Sequence, residues 1–189
     1  MSFGLLLLLL VLSIALCTDL ATGRISNGLI LFGMAGALAF QAVADGGDGV
    51  LSVAAGGIGL GAAFAGMALG FTALFPFYLL RAMGAGDVKL MMVVGAFLGP
   101  LQTVGAVVLT FAAGGVLALA MALWQRSLGR MLNNLRFMLT TSMVRAAGGD
   151  SHRLEPLQHT AGRMPYALAI AAGTLLQLVL VRSGGWALS

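Results

Sequence analysis

The stretch FPFYLLRAMGAGDVKLMMVVGAFLGP, residues 75–100, places three charged residues between two apolar runs. The whole chain of 189 residues is 60% hydrophobic and only 8% charged, whereas a soluble domain usually carries about 25% charged residues. A water-soluble fold of this length could not bury so much apolar surface, so the sequence predicts a polytopic membrane protein. The 28 glycines agree with this class, because small residues let membrane helices approach closely.

The uncharged runs set the number of predicted membrane spans. A transmembrane helix needs about 20 apolar residues. The run over 90–125 is too long for one helix, and Gly99-Pro100 predicts a break within it, because proline cannot continue a helix. The run over 49–80 is ambiguous, since it fits one tilted helix, one helix broken at Pro76, or two short helices.

The basic residues decide between these alternatives. With a single span in the 49–80 run there are six spans, and nine of the ten basic residues fall on one face of the membrane, with only Arg182 on the other. This asymmetry is what the positive-inside rule describes. The sequence therefore predicts an all-α protein of one domain, residues 1–189, with its N-terminus outside and its basic loops in the cytoplasm. The predicted spans are about 2–18, 26–44, 50–80, 86–100, 103–124 and 164–181.

The polar connection over about 125–163 is predicted to be cytoplasmic. Leucines and methionines recur at helical spacing between residues 128 and 143, a pattern typical of an amphipathic helix on the membrane surface. The arginines of this helix would lie near anionic headgroups, so membrane lipids are expected partners. The formal net charge of +4 does not indicate nucleic acid binding, because the basic residues follow the predicted topology.

Pairs of glycines four residues apart predict where helices touch. This spacing places both glycines on one face of a helix, where a neighbouring backbone can approach closely. The pairs are Gly57/Gly61, Gly66/Gly70 and Gly95/Gly99.

Two acidic residues stand apart from the rest. Asp19 ends the first predicted span and Asp87 begins the fourth, so both are predicted at the cytoplasmic boundary. One interpretation is structural, with Asp87 as a helix N-cap worth about 1 kcal/mol and Asp19 as a solvated acid paired with Arg24. The other is catalytic, with two facing carboxylates that share a proton, one activating a water and the other protonating a carbonyl. Spacing alone leaves both interpretations open.

Other kinds of active site are not indicated. Peptide hydrolysis by two carboxylates needs no metal, thiol or serine. The single cysteine, Cys17, excludes an internal disulfide and a four-thiolate zinc site. His152 and His159 fall in a polar loop, where we expect them to be solvated. No cofactor and no metal are therefore predicted.

Three motifs carry a resemblance to a known family. Residues 84–87, Gly-Ala-Gly-Asp, match the GxGD signature of intramembrane aspartyl proteases, and GAGDVKLM, residues 84–91, resembles the extended motif of bacterial type IV prepilin peptidases. CTDLATGRISNGLI, residues 17–30, resembles the family's Asp-x4-Arg-Ile-Pro-Asn stretch, with Ser26 in place of the proline. RMPYALAIAAGTLL, residues 163–176, resembles a Pro-Tyr-Ala-x-Ala-Ile element before the last span of smaller members. Together the motifs are similar to the short type that serves tight-adherence (Flp) pili.

The resemblance implies an aspartyl endopeptidase with Asp19 and Asp87 as its catalytic pair. It implies prepilin or pseudopilin helices as substrates, with a short basic leader in the cytoplasm, and a bacterial inner-membrane location with the active site at the cytoplasmic face. Larger members carry zinc-binding cysteine pairs associated with N-methylation, so methyltransferase activity is not expected of a chain with one cysteine. The residues expected to support the active site are Gly84, Gly86, Lys89, Arg24 and Asn27.

Two of these supporting residues have alternative interpretations. Lys89 lies two positions beyond Asp87, so on a regular helix it points away from that acid. It is either a snorkelling membrane anchor or a residue that tunes the acids or the substrate. Arg24 either holds Asn27 and the first loop or only marks the cytoplasmic face.

Two functions of other classes are the rivals of the peptidase. A small proton-coupled transporter or channel would use Asp19 and Asp87 as a proton relay, but such proteins usually show an internal repeat, and none is visible here. A structural scaffold subunit would tolerate asparagine at both positions. The three motifs favour the peptidase over both rivals.

Overall fold

The computed structural model describes residues 3–44, 57–80, 82–124, 136, 140 and 166–184. The fold of these residues is all-α, as predicted. Its five helices, in chain order, are α1 (Phe3–Thr22), α2 (Asn27–Val43), α3 (Leu60–Leu79), α4 (Ala85–Trp124) and α5 (Tyr166–Arg182).

The apolar helices are those expected of a membrane protein. Three helical segments of the described chain are long and apolar enough to cross a membrane, namely α1, α3 and Ala85–Met121 within α4. The helices α2 and α5 are apolar but have only 17 residues each. Large apolar side chains such as Leu31, Phe64 and Val179 are exposed on the helix surfaces, where lipid would cover them. The six spans and the outside N-terminus stay predictions.

The helix α4 contains the break predicted at Gly99-Pro100. Gly99 has φ 77° and ψ 175°, which is far from helical backbone. A positive φ favours glycine, because it has no Cβ, and Pro100 cannot donate a hydrogen bond back into the preceding turn. The hydroxyl of buried Thr103 donates to the Gly99 carbonyl, and the side chain of Gln41 donates to the carbonyl of Ala96, the acceptor that Pro100 leaves without an N–H partner. The chain therefore runs as two helical segments on either side of Gly99.

The start of α3 corrects the prediction of a helix from residue 50. Residues 57–59 are not helical, and α3 begins only at Leu60. The physical reason is Gly59, whose φ of 85° and ψ of 155° lie outside the helical region. The N–H of Ile58 instead donates to the side chain of Gln41, 2.8 Å away. Pro76 does not break α3, which continues to Leu79.

The first half of α4 lies at the centre of the described helices. Residues 87–99 are buried except for Lys89 and Met92. The buried amide of Gln41 in α2 donates to the carbonyl of Ala96 in α4, at 3.1 Å. The helix α1 packs against α2 and α5, and α2 packs against α3. Apolar side chains from all five helices thus form one core, with the first half of α4 at its centre.

The predicted glycine contacts are confirmed between α3 and α4. A Cβ on Gly66 would collide with the backbone of Gly95, and one on Gly70 would lie 2.6 Å from the carbonyl oxygen of Met91. The two backbones are therefore in direct contact, and larger residues at these positions would separate the helices. The prediction is wrong for Gly61, because a Cβ there would meet only open space.

The described chain divides into two compact units. One comprises residues 1–114 and 165–189, and the other comprises residues 115–164. In the second unit the structure describes the end of α4 and two further residues, where the Thr140 hydroxyl donates to the Arg136 carbonyl at 2.9 Å. The rest of the predicted surface helix over 125–163 lies outside the described residues. The prediction of one domain over residues 1–189 stays a prediction.

Candidate active site

Asp19 lies in the last turn of α1. The helix ends at Thr22, and Gly23, with φ 63°, donates its N–H to the backbone carbonyl of Asp19 at 2.7 Å. A glycine in this left-handed conformation is a common helix terminator. The half-buried side chain of Asp19 leaves α1 and accepts a hydrogen bond at Oδ2 from the N–H of Ala167, at 3.2 Å.

The partner of Asp19 is the start of another helix. Ala167 is the second residue of α5 and lies 148 positions further along the chain. The first N–H groups of a helix have no partner within it, and the helix dipole makes that end favourable for a negative charge. Asp19 therefore caps α5 from outside, in the way that a local N-cap carboxylate does.

Asp87 lies in the first turn of α4 and is only 8% exposed. Its Oδ2 accepts the N–H of Gly84 at 3.0 Å, and its own N–H donates to the Gly84 carbonyl at 3.2 Å. Since α4 begins at Ala85, Gly84 is the N-cap residue and Asp87 is the third helical residue. The predicted N-cap role is therefore corrected, because Asp87 occupies the position from which an acidic side chain reaches back to the cap in a capping box.

The two glycines of the GAGD motif leave room for the acid and for the first loop. A Cβ on Gly84 would lie 3.2 Å from Oδ2 of Asp87. A Cβ on Gly86 would lie 3.2 Å from the Cβ of Ile25, in the loop between α1 and α2. The motif of residues 84–87 therefore packs directly against the loop that follows Asp19.

A second contact joins the same two segments. The ammonium of Lys89 donates to Oδ1 of Asn27 at 3.0 Å, although the two residues are 62 positions apart. Lys89 is thus more than a membrane anchor, because it ties the start of α2 to the first turns of α4. Arg24 is exposed, and its described contact is through its carbonyl, which accepts from the Thr22 hydroxyl at 3.1 Å.

The pairing of Asp19 with Arg24, one of the structural interpretations, is not found. Among the described residues the side chain of Asp19 is bonded to the backbone of α5 and forms no ion pair with Arg24. The suggestion that Arg24 holds Asn27 is likewise not seen, since the amide oxygen of Asn27 is held by Lys89. Arg24 itself is exposed.

Tyr166 was not among the site residues predicted from the sequence. Tyr166 is the first residue of α5, is half-buried, and is close enough to Asp87 to feel the charge of its carboxylate. The next residue, Ala167, is the donor to Asp19. The start of α5 therefore contacts Asp19 and lies within range of the charge of Asp87. The signal that could have identified Tyr166 is the Pro-Tyr-Ala element, which the sequence places at the start of the last apolar segment.

No metal centre is found in the part of the chain that the structure describes. There, no three side chains of His, Cys, Asp or Glu lie together in a way that could hold an ion. Cys17 is an exposed free thiol. His152 and His159 lie outside the described residues, so their predicted solvation stays a prediction.

Comparison with known families decides what kind of protein this is. A model of the type IV leader peptidase family matches residues 6–119, more than half of the chain. The chain belongs to the type IV leader peptidase family. No curated protein and no solved structure matches it. As a leader peptidase family member the chain is a peptidase, and its apolar helices make it a membrane protein.

The matched residues of this leader peptidase include the two acids and the contacts between the segments that carry them. The match covers α1 from residue 6 onward, α2, α3 and all but the end of α4, so it contains Asp19, Asp87 and the Lys89–Asn27 hydrogen bond. It favours the peptidase over the proton-coupled transporter and the scaffold. It ends before α5, although α5 supplies the described partner of the Asp19 side chain.

Proposed function

We propose that this chain is an aspartic prepilin peptidase that removes the leader from prepilin or pseudopilin precursors at the membrane boundary. Asp19 and Asp87 are the proposed catalytic pair. The observation that supports the pair most directly is at the start of α5, where the N–H of Ala167 donates to Asp19 and the neighbouring Tyr166 lies within range of the charge of Asp87. The family match supplies the reaction class.

The proposed reaction uses one carboxylate as a base and the other carboxyl group as an acid. The base takes a proton from water, whose oxygen bonds to the scissile carbonyl carbon, while the acid protonates the carbonyl oxygen. The tetrahedral diol then breaks its carbon–nitrogen bond as a proton passes to the leaving nitrogen. The products are a new carboxyl group on the leader and a new amine on the mature pilin, and both acids return to their starting state.

In this proposal the substrate backbone binds at the start of α4. Gly84 and Ala85 are exposed and lie next to buried Asp87. A backbone without large side chains lets an extended peptide approach and form main-chain hydrogen bonds. The Gly84 N–H already holds Oδ2 of Asp87, so a peptide bound along residues 84–85 would have its carbonyl beside that acid.

The charge distribution supports a cytoplasmic active site in the bacterial inner membrane. Nine of the ten basic residues fall on one face in the six-span topology, and that face is cytoplasmic by the positive-inside rule. Asp19 and Asp87 both fall at this face in the same topology. A prepilin leader that lies in the cytoplasm would therefore meet the two acids where its apolar helix enters the membrane.

Substitution of each acid by asparagine tests the proposal. Asp19→Asn and Asp87→Asn each keep the shape of the side chain but remove its acid–base function, which is worth about 10²–10⁴-fold in rate. We expect each variant to lose cleavage of a prepilin-type substrate in detergent by at least about 100-fold. Cleavage is measured from the mass of the released leader.

Asp45→Asn and Asp48→Asn are the matched controls. They change the same chemical group in a connection predicted on the opposite face, so we expect them to cleave like the unmodified protein. Equal membrane insertion of all four variants shows that folding is not the cause of a loss. Cleavage retained by Asp19→Asn or by Asp87→Asn would exclude the aspartic mechanism.

A further inference from the structure

The segment of α4 that follows Gly99 packs against α5 through two glycines. A Cβ on Gly105 would collide with the side-chain amide of Gln177, and a Cβ on Gly173 would collide with Thr110. Because residue 105 meets residue 177 while residue 110 meets residue 173, the two helices run antiparallel. The glycines let the two backbones approach closely.

A hydrogen bond between two glutamine side chains lies in this contact. Nε2 of Gln177 donates to Oε1 of Gln102 at 2.7 Å, and Gln177 is completely buried. A buried polar residue in a helix interface can specify the register of the two helices, because a slip would leave buried polar groups without partners. The bond between Gln102 and Gln177 is therefore placed to fix the position of α5 along α4.

The polar groups of this contact add little to stability. Oε1 of Gln177 and the hydroxyl oxygens of Thr110 and Thr174 are buried and have no hydrogen-bond partner among the described residues. Buried groups without partners lower stability, and apolar side chains of the same shape can replace a bonded pair at little cost. Specification of register gives a physical reason for glutamine at position 177, since such polar contacts cost stability.

The position of α5 matters because its first turn holds Asp19. The N–H of Ala167 donates to Oδ2 of Asp19, and Ala167 lies about 15 Å before Gln177 along the same helix. A slip of α5 by one residue would move this N–H by about 1.5 Å along the helix axis and turn it by about 100°. The helix that carries Gln102, α4, also carries Asp87 in its first turn.

We propose that Gln177 is a positioning residue for the acid pair, an inference that rests on the proposed function. Its bond to Gln102 fixes the register of α5 on α4. The first turn of α5 then holds the N–H of Ala167 against Asp19. Loss of the bond lets α5 slip, so that Asp19 loses its donor while Asp87 keeps the support of its own helix start.

A double variant, Gln102→Met with Gln177→Met, removes the bond without leaving either amide unpaired. Methionine is unbranched like glutamine and adapts to irregular space, so the helices can still pack. We expect the double variant to unfold in a denaturing-detergent titration at the same detergent fraction or a higher one. We expect kcat for a prepilin-type substrate to fall by about tenfold or more, because a displacement of about 1 Å can reduce a rate by about 100-fold.

The expected loss is in kcat, with KM changed by less than about twofold, since Gln177 acts through Asp19 rather than on the substrate. An unchanged kcat in the folded double variant would overturn the proposal, as would a loss carried entirely by KM. Gln102→Met alone changes only the half-buried partner. It replaces the double variant if that variant does not fold, and the same loss of kcat is expected.

Thr174→Val is the matched control. Thr174 lies one turn before Gln177 on α5, is equally buried, and loses only a hydroxyl that has no partner among the described residues. We expect its kcat and KM to equal those of the unmodified protein. An equal loss of kcat in Thr174→Val would mean that any change in this contact disturbs the reaction, which would overturn the specific role of Gln177.

A further substitution at Ala167 tests the route by which Gln177 acts. Ala167→Pro removes the N–H that Asp19 accepts. If Gln177 acts through this N–H, adding the two methionine substitutions to Ala167→Pro should lower kcat further by less than about twofold. Losses that multiply would show that Gln177 acts by another route and would overturn the proposal.

A measurement without substrate reports on the same bond. Hydrogen exchange of the Ala167 amide can be followed by NMR of the protein in micelles. We expect this amide to exchange at least about tenfold faster in the double methionine variant than in the unmodified protein, and at the unmodified rate in Thr174→Val. An equally slow exchange in the double variant would overturn the proposal.

The asparagine variants separate failure of this proposal from failure of the proposed function. If Asp19→Asn and Asp87→Asn are inactive but the double methionine variant keeps its kcat and its slow Ala167 exchange, only the positioning role is wrong. If either asparagine variant cleaves normally, the aspartic mechanism itself is wrong, and the exchange of the Ala167 amide still decides whether Gln177 fixes α5.

Discussion

Asp19 and Asp87 lie at opposite ends of their own helices. Asp87 is in the first turn of α4, where its own helix dipole favours a negative charge and its own cap residue donates a hydrogen bond. Asp19 is in the last turn of α1, where the dipole of its own helix is unfavourable, and it takes its donor from the first turn of α5. One acid is thus supported locally, and the other depends on a helix from the far end of the chain.

From this difference we expect the two acids to tolerate displacement of their carboxyl groups to different degrees. Asp87 is buried beside Gly84, where a Cβ would lie only 3.2 Å from Oδ2. Asp19 is half-buried, so its carboxyl group has more space to move. Variants that keep the charge of each acid but move its carboxyl group test this difference in tolerance.

Lengthening each acid by one carbon gives the largest expected difference. Glutamate is an ordinary residue at the third position of a helix, so Asp87→Glu should fold, but the added carbon displaces the carboxyl group in a buried site. A displacement of about 1 Å can reduce a rate by about 100-fold, and we expect a loss of that size in kcat/KM. We expect Asp19→Glu to lose less than about tenfold, because its carboxyl group can readjust. A greater loss of kcat/KM for Asp19→Glu than for Asp87→Glu would show that Asp19 is the less tolerant of the two acids.

The support from α5 can be removed without changing either acid. In Ala167→Pro the N–H that donates to Asp19 is absent, while proline remains acceptable in the first turn of a helix. Its ring also enters the space next to Oδ2 of Asp19, so the carboxyl group must move. We expect kcat to fall by about tenfold or more, measured with the same prepilin substrate.

Ala167→Gly is the control for this variant, since it changes the same residue but keeps the N–H. It should retain most of the activity, with a cost in helix stability of about 1 kcal/mol. If Ala167→Pro and Ala167→Gly are equally active, Asp19 does not depend on α5, and the two acids are supported in the same local way.

The same contrast explains what the sequence could predict. The surroundings of Asp87 involve residues three positions apart, so the motif of residues 84–87 already predicts a capped helix start with an acid inside it. The break at Gly99-Pro100 and the contact of Gly66 with α4 were also predictable, because dihedral freedom and residue size are local properties. The break and the close helix contact at Gly66 are confirmed, whereas the predicted N-cap Asp87 is instead the third residue of a helix that Gly84 caps.

The features that the sequence did not predict depend on distant partners. The bond from Ala167 to Asp19 joins residues 148 positions apart, and the bond from Lys89 to Asn27 joins residues 62 positions apart. Helical periodicity shows which face of a helix is buried, but it does not show which helix covers that face. Before α3, the N–H of Ile58 likewise donates to a distant partner, the side chain of Gln41 in α2.

The contact between Lys89 and Asn27 gives the smallest expected effect and tests whether the first loop is held to α4. Both side chains are exposed, and exposed polar contacts are worth about 0.2–1 kcal/mol. We therefore expect Asn27→Ala and Lys89→Met each to lower the free energy of unfolding by less than about 1 kcal/mol, measured by titration of mixed micelles with a denaturing detergent. The double variant should be no less stable than the weaker single variant, because both substitutions remove one bond.

Arg24→Gln combined with Lys89→Met is the control, and its effects should add, since the described contact of Arg24 is through its backbone. Additive effects of Asn27→Ala and Lys89→Met would mean that this bond does not hold the loop after Asp19 to α4, the helix that carries Asp87. The element left to relate the two acids would then be α5.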